Sequence, residues 1–476
     1  MELCNIVAES ILLFIPLLLM PYFFILLKNI FSRNPPLPPG PFAWPIIGNL
    51  LQMGKDVHVS LANLAKVHGP LMSLRLGTQL LVVGSNAAAA REILKTHDRK
   101  LSGRFVSHSF AIGSPERNHL SLGFAKECTD QWRLLKTFSG SHLFSTKAIE
   151  AHKNVRETKV LELVSFLTVK AGENKMVDIG RAAYTTFINI MSNAIFSVDI
   201  LDYEGKGSGK EIKKLFMEII EMGGIPNLSD FYPILGGFDF QGLRKTRSDV
   251  SKKNDFLDAL LDKQFSDEQI NQLIAELLTA ASDTSSSTIE WAMAELIRNA
   301  DTMNRLRAEL ALVIGEDTIK DSHLHHLPYL QACVKEILRL HPPGPLLLPH
   351  RAVESCEVMG YNIPKDTQVL VNMWAVGRDP TAWDDPLSFK PERFVGSRLD
   401  FKGNDFQYVP FGGGRRICGG LILAARQIPL VLGSLVHSFD WVVPGDVDLL
   451  RMDMREKLNL TMRKKHSLYL IPKVRK

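Results

Sequence analysis

Apolar and polar positions follow three successive patterns along the chain. From Ile11 to Leu27 every residue is apolar, Pro or Tyr, without a charge. Joined to Ile6 through Ser10, the run approaches the roughly 20 residues that cross a bilayer. Glu2 and Glu9 precede it and Lys28 and Arg33 follow it, so the positive-inside rule predicts that all later residues stay on the cytosolic side. Residues 1–34 are expected to be a membrane anchor with a basic flank. Residues 35–41, PPLPPGP, are too rich in proline for a helix and are expected to form a stiff hinge.

Residues 42–476 read as one globular domain, with no break polar enough to separate two. Alternation across Leu71 to Gly84 predicts a β-hairpin, and helical periodicity dominates from Asn86 to Asn299. The longest predicted helix runs from Asp267 to Asn299, about 50 Å at 1.5 Å per residue. Ser266 and Gln269 have capping-box spacing at its start. Inside it lies Ala280-Ala-Ser-Asp-Thr-Ser-Ser-Ser-Thr288. Crowded hydroxyls weaken an ordinary core helix, which points to a flat group packed close by or to proton movement. After Pro342, short strands are expected around Glu357 to Tyr361 and Gln368 to Asn372, then a helix from Leu421. The layout is mainly α, in the α+β class, with a smaller β-rich portion.

Composition narrows the class. The chain has 476 residues and a net charge of +5, with basic residues dispersed. That pattern gives no nucleic-acid arm and suits an acidic protein partner or an anionic membrane surface. Five cysteines without paired spacing exclude a disulfide framework. One of them, Cys418, lies in Phe411-Gly-Gly-Gly-Arg-Arg-Ile-Cys-Gly-Gly420. Glycines allow the backbone to pass close beneath a macrocycle. N–H groups before a helix favour a thiolate, and Arg415 and Arg416 offer guanidinium to a carboxylate. A haem-thiolate site fits; a phosphate loop does not, because no Gly-Lys-Ser/Thr follows. His323, His325 and His326 also cluster, in a polar connector.

Three motifs in order give the chain its resemblance. Phe411, Gly414, Arg416, Cys418 and Gly420 fill Phe-x-x-Gly-x-Arg-x-Cys-x-Gly; Glu336 and Arg339 fill Glu-x-x-Arg; Pro391-Glu-Arg-Phe394 follows. Over essentially its whole length the chain resembles the plant microsomal cytochrome P-450 family. It is similar to alkaloid-pathway members such as N-methylcoclaurine 3'-hydroxylase and littorine-processing enzymes. The resemblance implies the cytochrome P-450 fold, haem b (iron protoporphyrin IX) with Cys418 as axial ligand to iron, and a buried network of Glu336, Arg339 and Arg393. It implies Asp283 and Thr284 as the catalytic proton relay to dioxygen. Trp132, Lys136 (where relatives carry Arg), Arg416 and Arg351 are implied contacts to the haem propionates. Ala280, Ala281, Leu346, Leu347 and Leu348 are implied to line the substrate pocket, with the 457–461 turn a further candidate.

The implied activity is insertion of one oxygen atom of O2 into a small apolar plant metabolite, an alkaloid. Electrons would come from NADPH through NADPH-cytochrome reductase at the endoplasmic reticulum membrane. Two other readings stand beside it: phenol coupling without oxygen insertion, and a silent haem-binding membrane protein. The second is motivated by residues 240–266, a stretch shorter than in relatives.

Overall fold

The computed structural model describes residues 35–106, 121–204, 266–445, 449 and 452–475. The expected anchor and the shortened stretch up to residue 265 lie outside the described residues.

The longer helices are α1 (Val57–His68), α2 (Asp130–Ser139), α3 (Lys153–Gly172), α4 (Ile179–Phe196), α5 (Asp267–Arg298), α6 (Ala300–Ile314), α7 (Pro328–Leu340) and α8 (Leu421–Ser438). The strands are β1 (Leu71–Leu76), β2 (Gln79–Gly84), β3 (Gly103–Arg104), β4 (Val177–Asp178), β5 (His350–Arg351), β6 (Cys356–Val358), β7 (Tyr361–Ile363), β8 (Gln368–Val371), β9 (Phe439–Val442), β10 (Glu456–Leu458), β11 (Met462–Lys464) and β12 (Tyr469–Val474). A five-stranded sheet runs β1-β2-β8-β5-β3, parallel only between β2 and β8. A three-stranded sheet runs β4-β12-β9, and β6-β7 and β10-β11 are hairpins. The strand expected around Glu357 to Tyr361 is the tip of the β6-β7 hairpin: Glu357 and Val358 end β6, Tyr361 starts β7, and two residues turn between them. Met359 and Gly360 take positive φ there and reverse the chain.

The long helix forms where periodicity places it, and its capping box is made: Gln269 N–H donates to Ser266 Oγ, and Ser266 N–H to Gln269 Oε1. It packs along α4 and against α7 and α8, burying Trp291, Leu296 and Ile289 in the largest core cluster. The crowded hydroxyls have two uses. Ser282, Thr284 and Thr288 donate to carbonyls one turn back. Ser285 accepts from Gln427 of α8 (2.9 Å), and Ser287 donates to Met462 O of β11 (2.7 Å). Hydroxyls of both kinds keep a polar helix satisfied inside a core.

Helix α8 is apolar and long enough to cross a membrane, yet most of it is buried. It packs against α3, α5, α6 and α7 and is a core helix. The proline-rich segment is docked rather than free. Pro38 O and Pro39 O accept from Ser73 Oγ and Ser73 N–H (2.6 and 2.8 Å), and Pro36 O accepts from Asn362 N–H (2.9 Å). Its direction is therefore fixed against β1 and β7.

Candidate haem-thiolate site

The loop before α8 brings Cys418 to the helix amino terminus. Cys418 N–H donates to Phe411 O at 3.0 Å, closing the loop on itself. The amides of Gly420 and Leu421 donate to the sulfur. Burial raises the thiol pKa and these two N–H groups lower it again. An electrophilic metal at the sulfur would complete what the amides begin, since coordination deprotonates a thiol. The sulfur is deep within the protein, but Cys418 keeps open surface. On α5, Ala280 is likewise open and Thr284 half-buried, although the following turns are core.

Two glycines of the motif have separate structural reasons. Gly412 and Gly414 take φ of 71° and 62°, a region costly for any residue with a Cβ. At Gly414 a Cβ would lie 2.0 Å from Leu94 O. Gly414→Ala is therefore expected to lower the thermal unfolding midpoint and the yield of folded protein sharply. Gly413→Ala, where the nearest atom would be Leu94 Cβ at 3.4 Å, is expected to do little. Thermal denaturation of the two variants side by side checks this.

Beside Cys418 lies a cluster of cations, Arg104 buried and Arg416 and Lys136 half-buried. Arg416 and Lys136 flank the Trp132 ring at 4.4 and 5.1 Å from its centroid. Arg416 donates to the carbonyls of Ser102 (2.9 Å) and Ala125 (2.7 Å), Lys136 to Arg415 O (2.5 Å), and Trp132 Nε1 to Leu122 O (2.9 Å). Arg104 on β3 joins them, donating to Gly123 O and Leu348 O. Burial, with Arg416 nearby, pushes the Arg104 pKa down to about 9. Burial also lowers Lys136 and Arg416. Next to Arg104, the buried His350 is pushed down to about 3, by burial first and Arg104 second. Positive groups crowded together and held by backbone carbonyls form a seat for an anion. The two carboxylates of a protoporphyrin fit it, as an iron fits the sulfur.

Arg351 is not part of this cluster. On the short strand β5, side chains alternate between faces; His350 points inward and Arg351 outward. The Arg351 guanidinium pairs with Asp366 and with Glu127 (3.0 Å). The inward partners are His350 and Arg104, which sequence reasoning missed. Alternation on β5 was the available signal for His350; nothing local marked Arg104. Arg415 likewise turns outward to Asp98 (3.5 Å), leaving Arg416 as the inward guanidinium of that pair.

Asp283 and Thr284 point in different directions. Asp283 is buried, forms an ion pair with Arg463 of β11 and accepts a hydrogen bond from Thr461. Thr284 donates to Ala280 O at 2.8 Å and is half-buried. The acid is thus held by the β10-β11 hairpin while the alcohol bonds within its own helix. Of the expected pocket residues, Leu346, Leu347 and Leu348 are half-buried. The Leu347 side chain reaches Gly412, and that of Leu348 reaches Gly123. Ala281 is half-buried and packs against the second core cluster.

The supporting network is complete. Glu336 and Arg339 are fully buried one turn apart on α7, with Nε–Oε2 2.7 Å and Nη2–Oε1 2.8 Å. Arg393 Nε reaches Glu336 Oε1 at 2.9 Å, and Lys390 N–H donates to the same oxygen at 2.8 Å. His323 accepts from Lys320 N–H in a short helical turn, and the His325 and His326 rings lie against each other.

The comparisons agree with this geometry. The profile of the family described as Cytochrome P450 matches residues 38–470. A probable (S)-N-methylcoclaurine 3'-hydroxylase isozyme 2 of Coptis japonica is 45% identical over 492 residues, covering 99% of this chain and 98% of the relative. A corytuberine synthase of the same plant is 45% identical, covering 97% of this chain and 98% of the relative. A solved zebra fish cytochrome P450 with abiraterone superposes with a TM-score of 0.73 at 24% identity, over 89% of this chain and 100% of that one; it speaks for the fold. With a hydroxylase among its relatives and a family profile over nearly its whole length, the chain belongs to the cytochrome P450 family of haem-dependent monooxygenases.

Proposed function

We propose that this protein is an NADPH-dependent, membrane-anchored monooxygenase of plant alkaloids, with Cys418 as the axial ligand of haem b. The observation that carries the proposal is a sulfur receiving two backbone N–H groups beside a cationic seat of Arg104, Lys136 and Arg416 around Trp132. In the net reaction a substrate C–H bond, O2, NADPH and a proton give C–OH, water and NADP+. When bound, the haem supplies dioxygen activation, which a thiolate ligand favours.

The chain's own residues do the rest. Arg104, Lys136, Trp132, Arg416 and His350 would hold the carboxylates of the haem. Phe411, packed edge-on against Phe401, shields the sulfur side, and Gly414 and Gly420 keep the loop close. Thr284 Oγ1 holds a proton on a partly open stretch of α5. Asp283 supplies protons when its pairing with Arg463 loosens or when water bridges the two residues. Leu346, Leu347, Leu348, Ala280 and Ala281 give the pocket its apolar wall. Reductase would dock on the side of the Cys418 loop. The amino-terminal anchor would hold the body at the cytosolic face of the endoplasmic reticulum.

The relatives named for N-methylcoclaurine and corytuberine point to amine-bearing alkaloids as the substrate class. Retention of Asp283 and Thr284 favours oxygen insertion over phenol coupling and over a silent haem protein. Coexpression with a plant reductase and assay of NADPH use against benzylisoquinoline, tropane and monoterpene substrates tests this. A hydroxylated amine product is expected; a haem-loaded protein without turnover on any of them overturns the reading.

A further inference from the structure

The β10-β11 hairpin, which carries Arg463 and Thr461 to Asp283, is fastened from both of its faces. Its ladder sets Glu456 opposite Lys464 and Lys457 opposite Arg463. Cross-strand pairs share a face and side chains alternate along a strand. Glu456 and Arg463 therefore leave opposite faces at adjacent rungs, about 3.4 Å apart along the strands. On one face Arg463, with Thr461 from the turn, holds the Asp283 carboxylate. On the other, Glu456 enters a cage of donors.

Four side chains meet in that cage. His58 Nε2 of α1 lies 2.9 Å from Oε2, Trp374 Nε1 donates to the same oxygen at 3.0 Å, and Arg378 Nη2 donates to Oε1 at 3.4 Å. His341, just past α7, places Nδ1 3.5 Å from Oε1 and Nε2 2.8 Å from Glu295 of α5. The cage is tied to itself: Asn372 Nδ2 donates to His58 O (2.9 Å), Asn372 Oδ1 accepts Ala375 N–H (3.1 Å), and Arg378 lies 4.1 Å from the Trp374 ring centroid. Burial raises the Glu456 pKa, but hydrogen bonds from His341 and His58 and the Arg378 charge outweigh it, holding the carboxyl well below the usual carboxylate range. Strand β11 has ties of its own to α5: Ser287 donates to Met462 O, and Lys464 Nζ lies 4.9 Å from the Trp291 ring centroid. A two-stranded hairpin is marginal alone, so β11 keeps its tilt only while β10 is anchored, and Glu456 anchors β10.

We propose that Glu456 is a positioning residue for the acid of the proton relay. By fixing β10 to the cage it sets the register and tilt of the hairpin, and with them the direction in which Arg463 and Thr461 hold Asp283. This rests on the relay reading of Asp283 above and gives the acid a support that α5 does not supply.

The test is Glu456→Gln in two backgrounds, wild type and Asp283→Asn. Each is assayed as haem-loaded protein with reductase, on whichever of the benzylisoquinoline, tropane and monoterpene substrates wild type oxidises. Glutamine keeps the size, removes the charge and turns an amide N–H toward the donors of the cage. In the wild-type background, turnover per haem and product per NADPH are expected to fall about threefold to tenfold, with the substrate dissociation constant changed less than about twofold. In the Asp283→Asn background the same substitution is expected to change turnover by less than about twofold, because it acts through a group already removed. Hydrogen–deuterium exchange of residues 456–464, read without turnover, is expected to be about tenfold faster in Glu456→Gln. Trp374→Phe removes one N–H from the carboxylate and keeps its charge. It is expected to repeat the pattern with smaller losses, and it replaces Glu456→Gln if that variant does not load haem. The positioning role is overturned by an equal fractional loss of turnover in both backgrounds, by wild-type turnover in both variants, by unchanged exchange of the hairpin, or by loss of haem from both variants. Wild-type turnover in Asp283→Asn, or a wild type that oxidises no substrate, overturns instead the relay reading beneath it.

Discussion

Glu336→Ala is expected to prevent the chain from accumulating as folded, haem-loaded protein. The carboxylate is fully buried and receives Arg339, Arg393 and the Lys390 N–H. Removing it strands two guanidiniums, of which Arg339 is itself buried. Breaking a buried pair from one side costs about 3–5 kcal/mol, against a total stability of about 5–15 kcal/mol for typical proteins. Arg339 also donates to the carbonyls of Pro386 and Ser388. Its displacement therefore releases the segment that leads to Pro391-Glu-Arg-Phe394. In that segment Glu392 accepts from Tyr329 Oη (2.7 Å), and the Phe394 ring packs at a tilt against Tyr408. Haem content per polypeptide and urea unfolding measure the effect; an unchanged midpoint would remove the network from the account.

Asp283→Asn is the second large effect. A positioned proton donor contributes about 10²–10⁴-fold to rate. The substitution is expected to lower turnover by about 10²-fold or more, with substrate affinity near wild type. Product formed per NADPH consumed should fall with it. Because Asp283 is held by Arg463 and Thr461, Arg463→Gln provides the control. It removes the guanidinium while keeping the acid, and is expected to retain more turnover than Asp283→Asn. Wild-type turnover in Asp283→Asn would assign proton delivery to another group.

How much of this was legible in the sequence depended on chain distance. The Cys418 loop places a ligand, its amide donors and its glycines within ten residues, so one motif specifies the local geometry. Glu336 and Arg339 are neighbours by helical spacing alone. The long helix and its capping box followed from periodicity and one Ser-x-x-Gln pattern. The cationic seat did not, because β3, β5, α2 and the Cys418 loop meet there from segments far apart in the chain. Between two adjacent basic residues on β5, only the side facing inward decides which one faces the seat; that side belongs to His350. Arg463 was hidden for the same reason. It reaches Asp283 from a hairpin about 180 residues away. The docking of the proline-rich segment was hidden too, since a proline run does not show which sheet edge will accept it.

The central claim is that Cys418 supplies a thiolate to haem iron. The most direct test is the absorption spectrum of the reduced, carbon-monoxide-bound protein, wild type beside Cys418→His. Wild type should show the red-shifted Soret band characteristic of thiolate ligation, and the variant should lose that shift even where it retains haem. A wild-type spectrum of the nitrogen-ligated kind, or a thiolate-type spectrum that survives in Cys418→His, would contradict the account.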